Sequence, residues 1–127
     1  MKTILIADDN AVSRELTREC LDGCGFALME ASNGREALHL LKTRRPDLAL
    51  LDIQMPEMDG YAVIRAVRAD PDLRGLPVIA ITAFAMEGDS QRAVSAGFDA
   101  YITKPIRIDA LRQEIQRLLG YGAGLVE

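Results

Sequence analysis

The chain has 127 residues, 49% of them hydrophobic, two cysteines and a formal net charge of −4. That supports one domain with its own apolar core and excludes the basic footprint of a nucleic-acid binder. The apolar runs are too short to span a bilayer, and the N-terminal run ends in Asp8-Asp9 with no small-residue cleavage site, so a cytoplasmic location without membrane contact is expected.

Residues 3–7 are a short apolar run that reads as a strand, ending in Asp8-Asp9-Asn10. A helical pattern follows over 11–24, with Val12, Leu16, Cys20 and Cys24 on one stripe at a spacing of four and Asn10 or Asp9 as its cap. Cys20 and Cys24 make no metal pattern and read as reduced, packed thiols. Residues 26–31 form a second strand. Asn33-Gly34-Arg35-Glu36 has the spacing of a capping box, and the helix it opens carries Ala37, Leu38 and Leu41 and stops before Pro46. His39, the only histidine, lies off that stripe and is expected to face solvent, as is the Arg44-Arg45 pair at the helix end.

Leu48-Ala49-Leu50-Leu51 runs straight into Asp52, and a loop with Pro56 and Gly60 follows. Such a run reads as a strand buried on both faces, with Asp52 at its C-terminal end. A helix over 60–69 turns Val63, Ile64 and Val67 inward, residues 70–75 are a loop, and 77–82 form a fourth strand. A weaker helix over 86–96 ends at Gly97, a short strand covers 100–103, and a last helix over 107–119 carries Ile108, Leu111, Ile115 and Leu118. Its other positions, Arg112, Gln113, Gln116 and Arg117, read as exposed. The glycine-rich residues 120–127 read as a flexible tail.

Strand and helix alternate five times, which calls for a parallel sheet with helices on both faces. All parallel strands end on the same edge. That edge collects Asp8 and Asp9 after the first strand, Asp52 after the third, Thr82 after the fourth and Lys104 after the fifth. If the strand order is 2-1-3-4-5, one of the two common orders of such sheets, the first and third strands are neighbours and the three carboxylates meet in one crevice. Each close pair of like charges costs about 4 kcal/mol at an effective dielectric near 20, so the cluster must take up protons or bind a cation. A hard divalent ion such as Mg²⁺ fits oxygen ligands of this kind, and Lys104 and Thr82 supply a positive charge and a hydroxyl donor suited to phosphate oxygens. The set suffices for phosphoryl transfer to a carboxylate, where positioning and charge neutralisation do most of the work.

Four stretches together, Ile-Leu-Ile-Ala-Asp-Asp-Asn, Asp-Ile-Gln-Met-Pro-Glu-Met-Asp-Gly, Ile-Ala-Ile-Thr-Ala and Tyr-Ile-Thr-Lys-Pro, resemble the receiver domain of two-component response regulators. The segment from Thr82 to Asp89 is similar to single-domain receivers of the DivK and CheY type, and also to receivers attached to hybrid kinases. The resemblance implies a flavodoxin-like (βα)5 doubly wound five-stranded sheet in the order 2-1-3-4-5, with a receiver domain over residues 1–119. It implies Asp52 as phosphoacceptor, Mg²⁺ held by Asp9, Asp52 and the backbone carbonyl of Gln54, and Asp8 acting through water. Thr82, the backbone amide of Ala83 and Lys104 would contact the phosphoryl group, the Lys104-Pro105 peptide would be cis, and Thr82 with Tyr101 would form the switch. Phosphoryl groups would come from a histidine kinase or phosphotransfer protein. The surface of the fourth helix, fifth strand and fifth helix would then engage a downstream protein, with the chain a monomer or a phosphorylation-dependent dimer. Catalysis would be confined to the chain's own phosphorylation and dephosphorylation. Gln54 and Phe84 would flank the path of an attacking water. Phe84 would either shield the acyl phosphate or serve as a contact on the output surface.

Three other readings compete. The receiver could be a module of a hybrid histidine kinase. A haloacid-dehalogenase-type phosphatase also uses Asp, Mg²⁺, Thr or Ser and Lys at strand ends, but usually carries a second Asp two residues after the nucleophile, where this chain has Gln54. A flavodoxin-like FMN carrier would want a phosphate loop where Asp8-Asp9 stand.

Overall fold

A computed structural model of the chain describes residues 1–83 and 86–120. Five strands alternate with five helices: β1 (Thr3–Ala7), α1 (Ala11–Leu21), β2 (Ala27–Ala31), α2 (Gly34–Arg44), β3 (Leu48–Asp52), α3 (Gly60–Ala69), β4 (Val78–Thr82), α4 (Asp89–Ala96), β5 (Ala100–Thr103) and α5 (Ile108–Leu119). All neighbouring strands pair in parallel in the order β2-β1-β3-β4-β5. This is the flavodoxin-like doubly wound sheet that the alternation and the resemblance imply. No described helix is long and apolar enough to cross a membrane.

The period of two along each strand divides the core in two. Leu5, Ala7, Ala49, Leu51, Val78 and Ala80 pack with Ala37, Leu41, Val63, Ile64 and Val67 of α2 and α3. Ile4, Ile6, Leu48, Leu50, Ile79 and Ile81 pack with Leu21 of α1 and with Leu111 and Ile115 of α5. β3 is buried along its whole length, and each fully buried Leu there contributes roughly 2 kcal/mol.

The same parity places the polar residues at the strand ends. Asp8 continues the row of Ile4 and Ile6, Asp52 that of Leu48 and Leu50, and Lys104 that of Ala100 and Ile102, so all three open on the α1/α5 face. Thr82 continues the row of Val78 and Ala80 on the opposite face. Tyr101 packs on that face too, and is paired in register with Ala80.

Caps fix several helix starts. The Asn10 side chain accepts from the Ser13 N–H at 2.9 Å, and the Asp59 side chain accepts from the Ala62 N–H at 2.8 Å. At α2 the Asn33 side chain accepts from the Glu36 N–H at 2.8 Å, but Glu36 reaches back one residue further than a capping box, to the Ser32 N–H at 2.7 Å.

The first helix departs most from its reading. α1 stops at Leu21, where Asp22 turns to extended backbone and its N–H bonds the Glu19 carbonyl. Its buried residues are Thr17 and Leu21, whereas Val12 is 67% and Leu16 58% exposed. The first half of the stripe at spacing four, Val12 and Leu16, is therefore apolar but does not face the core. The helix instead turns Arg14 and Thr17 towards the sheet; the Arg14 guanidinium donates to the Asp8 carbonyl at the end of β1, and the Thr17 hydroxyl to the Ser13 carbonyl one turn back in α1. Cys20 and Cys24 are half-buried free thiols beside the core.

The remaining differences are local. α4 starts at Asp89 because Gly88 takes a left-handed φ of 86°, which no continuing helix allows. On α5, Ile108 lies at the exposed end of its stripe and Arg112 is half-buried, its Nε enclosed without a hydrogen-bond partner among the described residues. His39, Arg44 and Arg45 are exposed.

Candidate functional site

Asp8 and Asp52 are held by the same local device. Each carboxylate accepts a bond from the backbone N–H two residues later: Asp8 from Asn10 at 2.9 Å and Asp52 from Gln54 at 2.9 Å. These short turns aim both side chains back over the sheet edge. Lys104 reaches across from the end of β5, its Nζ 2.7 Å from Asp52 Oδ2 and 2.9 Å from Asp8 Oδ2. The Lys104 N–H also donates to the Thr82 carbonyl at 2.8 Å, and the Lys104-Pro105 peptide is cis.

Asp9 is exposed, yet oxygens of Asp8, Asp9 and Asp52 all lie within 4.8 Å of one another. Three carboxylates so close, two of them buried, suit a hard divalent cation such as Mg²⁺. Gln54 stands beside them at the start of the loop after β3.

The charges inside the pocket are unequal. Burial pushes the Asp52 carboxyl above its ordinary range; the Lys104 ammonium and the Gln54 amide pull it down, Asp8 pushes it up, and the net result is raised. Burial acts on Asp8 in the same sense, but hydrogen bonds from the Ser13 side chain, the Asn10 amide and Lys104 outweigh it and hold Asp8 below its ordinary range. Burial would lower Lys104, yet the two carboxylates overcome it and raise the ammonium's pKa. Lys104 is therefore a firm cation that already bridges the two strands.

Thr82 is 3% exposed at the end of β4, and the following Ala83 is exposed at the rim. The Tyr101 hydroxyl is enclosed without a hydrogen-bond partner among the described residues. Burial, then Asp89 and Tyr61, raise its pKa. Phe84 lies outside the described residues, as do residues 121–127.

Sequence reasoning missed three contributors: the Gln54 amide, the Ser13 side chain on Asp8, and Arg14. The first could have been found, because an Asp followed two residues later by a free N–H is a recurrent turn. Arg14 gave no such sign, since it reaches the Asp8 carbonyl only through the helix orientation that the apolar stripe misrepresented. Beside the pocket, on the α1 side, a groove of about 880 Å³ is lined by Val12, Leu16, Cys20, Lys104, Pro105 and Ile106 among others.

Comparison with known proteins places this geometry among relatives. Residues 4–116 match the family model of the response regulator receiver domain. The polar-differentiation response regulator DivK of Brucella anthropi is 42% identical over 119 residues, covering 94% of this chain and 97% of that protein. Among solved structures, the signal receiver domain of a signal transduction histidine kinase from Syntrophus aciditrophicus superposes with a TM-score of 0.86 at 39% identity, covering 94% of this chain and 91% of that one. The receiver domain of a sensor histidine kinase from Pseudomonas aeruginosa PAO1, described with a magnesium ion coordinated in its active site cleft, has a TM-score of 0.86 at 32% identity and covers 94% of this chain and 98% of that one.

Proposed function

The chain belongs to the response regulator receiver domain family, and from that premise we propose that it accepts a phosphoryl group on Asp52 and passes the change of state to a partner protein. The observation that carries this reading is the single pocket in which oxygens of Asp8, Asp9 and Asp52 lie within 4.8 Å and Lys104 bridges Asp8 and Asp52.

Asp52 is the nucleophile. Its oxygen forms a bond to phosphorus as the bond from phosphorus to the imidazole nitrogen of a partner phosphohistidine breaks. The Gln54 amide on Oδ1 and Lys104 on Oδ2 fix the carboxylate's orientation. Lys104 then pairs with a phosphoryl oxygen, the Thr82 hydroxyl and the Ala83 amide donate to the others, and Asp8 retains its hold on the lysine. Asp9, Asp52 and the Gln54 carbonyl would hold Mg²⁺, with Asp8 acting through water; when bound, the ion neutralises charge on the phosphoryl oxygens. Thr82 and Tyr101 form the readout pair, and the surface of α4, β5 and α5 carries the change outward as a shift between two states. Turnover is confined to this one carboxylate, in a cytoplasmic protein whose receiver unit spans residues 1–119. A second context, a receiver within a histidine kinase, is favoured by the 39% identity to the Syntrophus aciditrophicus domain.

The test is intact-mass measurement after incubation with Mg²⁺ and acetyl phosphate. A transient, single phosphoryl adduct is expected on the wild type and none on Asp52→Ala. Repeated turnover of phosphomonoesters would replace this reading with a phosphatase, and bound yellow flavin with a carrier.

A further inference from the structure

We propose that Arg14 is a positioning residue for the Asp8-Asp9 pair, and that its grip sets the pocket's affinity for Mg²⁺. This rests on the metal-binding reading given above.

Arg14 sits in the second turn of α1, and its guanidinium joins two elements. Nη1 donates to the Asp8 carbonyl at 2.7 Å, and Nε donates to Glu30 Oε1 on β2 at 3.0 Å. The Arg14 side chain is only 20% exposed, so both bonds form largely out of water. Glu30 is in turn held by Arg18, one turn further along α1. Glu30 pairs in register with Ile6, two residues before Asp8.

The Asp8 carbonyl belongs to the peptide that joins the two acids. The orientation of that peptide plane decides where both carboxylates point, since each is tethered to it by a single Cα. The other side of the Asp8 backbone is already fixed, with its N–H donating to the Ala31 carbonyl at 3.0 Å. The guanidinium fixes the carbonyl side. A forked, planar donor held by a carboxylate is suited to this, because it cannot rotate about one bond without losing the other. Partners one step behind a metal's ligands commonly change metal affinity by ten- to a hundredfold when removed.

Simple charge predicts the opposite sign. Removing a cation from the neighbourhood of three carboxylates strengthens their attraction for Mg²⁺. Positioning predicts weaker binding when the fork is lost, even when the charge is kept. Calorimetric titration of the metal-free protein with Mg²⁺ alone separates the two. Arg14→Lys keeps the charge but cannot bond both acceptors in the same geometry, and is expected to raise the Mg²⁺ Kd about tenfold. Arg14→Met is expected to raise it at least as much. Arg18→Met also loses a cation and also removes one of the two partners of Glu30, yet should change Kd less than about twofold, since Arg18 does not touch the Asp8 carbonyl. Titration with Ca²⁺ adds a readout of geometry: a loosened acid pair should lose more affinity for Mg²⁺ than for the larger, more permissive ion.

Thermal melts in chelator show which variants fold; Arg14→Lys makes the smallest change and keeps the test open if Arg14→Met does not fold. Unchanged or tighter Mg²⁺ binding by Arg14→Lys overturns the proposal, as does an equal loss in Arg18→Met. A wild type that binds no Mg²⁺ removes the underlying metal reading, and this inference with it.

Discussion

Asp8 and Asp52 share one lysine and one crevice, yet their carboxyls are displaced in opposite directions. For Asp52 burial wins and its pKa is raised; for Asp8 the hydrogen bonds from Ser13, Asn10 and Lys104 win and its pKa is lowered. The two therefore enter stability with opposite signs. A raised carboxyl is a cost to the fold that is fully present above its folded pKa and absent below the unfolded value of 3.8. A lowered carboxyl is a gain that is present above the unfolded value and lost as pH falls through the folded one. In chelated buffer at pH 7, Asp52→Asn is thus expected to melt at or above the wild-type temperature, and Asp8→Asn below it. Both differences should shrink as the buffer is taken below the ordinary carboxylate range. Thermal melts across pH check this; a matching sign for the two variants at pH 7 would contradict the opposed perturbations. On the proposed reading, the carboxylate that burial destabilises is the one that would give up its own charge on bonding to phosphorus, the negative charge then lying on phosphoryl oxygens within reach of Lys104.

At the scale of elements, the loop after β3 is held by packing as well as by its own bonds. Gly34, at the start of α2, lies so close to this loop that a Cβ there would stand 1.7 Å from the Met58 carbonyl oxygen. That atom is backbone and cannot swing aside. Gly34→Ala must therefore separate α2 from the loop that carries Gln54, at a cost of about 3 kcal/mol, or roughly 10 °C in a domain of this size. Gly75→Ala meets nothing within 4 Å and should melt close to wild type. Equal melting of the two variants would refute the close-approach account. The sequence showed a helix start at Asn33-Gly34 but not what the glycine was for, because its neighbour is 24 positions away in the chain. The same distinction runs through the whole reading. Elements with continuous apolar runs, such as β3 and β4, and helices whose stripe is the core face, such as α3, were legible to within a residue or two. So was the gathering of Asp8, Asp9, Asp52 and Lys104, which follows from parallel topology together with the strand order that the resemblance implies. What was not legible depended on how a helix is turned about its axis. A spacing of four identifies a stripe, and says nothing of whether the sheet or the solvent lies beneath it. For Val12 and Leu16 on α1 the answer was solvent, and Arg14 took the inward side.

Across the whole molecule, the sheet divides the two tasks proposed for this receiver. Asp8, Asp52 and Lys104 open on the α1/α5 face, while Thr82 and Tyr101 lie on the face that packs against α2, α3 and α4. On the proposed reading a phosphohistidine would approach Asp52 in line with the bond it breaks, and the protein that carries it would rest on the surface around the mouth. Val12 and Leu16 stand there, apolar and more than half exposed, on a groove that Lys104 and Pro105 also line. The stripe that failed as a core face thus has the position of a donor's footing. Because Leu16 contributes little to the core, Leu16→Gln should leave the melting temperature within a degree or two. It should also leave the rate of phosphorylation by acetyl phosphate within about twofold, since a small donor needs only the pocket. Phosphotransfer from a phosphohistidine-bearing domain that modifies the wild type should fall about tenfold, the loss of about 1.4 kcal/mol that burying one such side chain at an interface supplies. Val94→Gln, an equally exposed apolar residue on α4, serves as the control and should leave donor transfer unchanged. Parallel losses with both donors would place the fault inside the pocket, and an unchanged protein-donor rate would take the donor off α1.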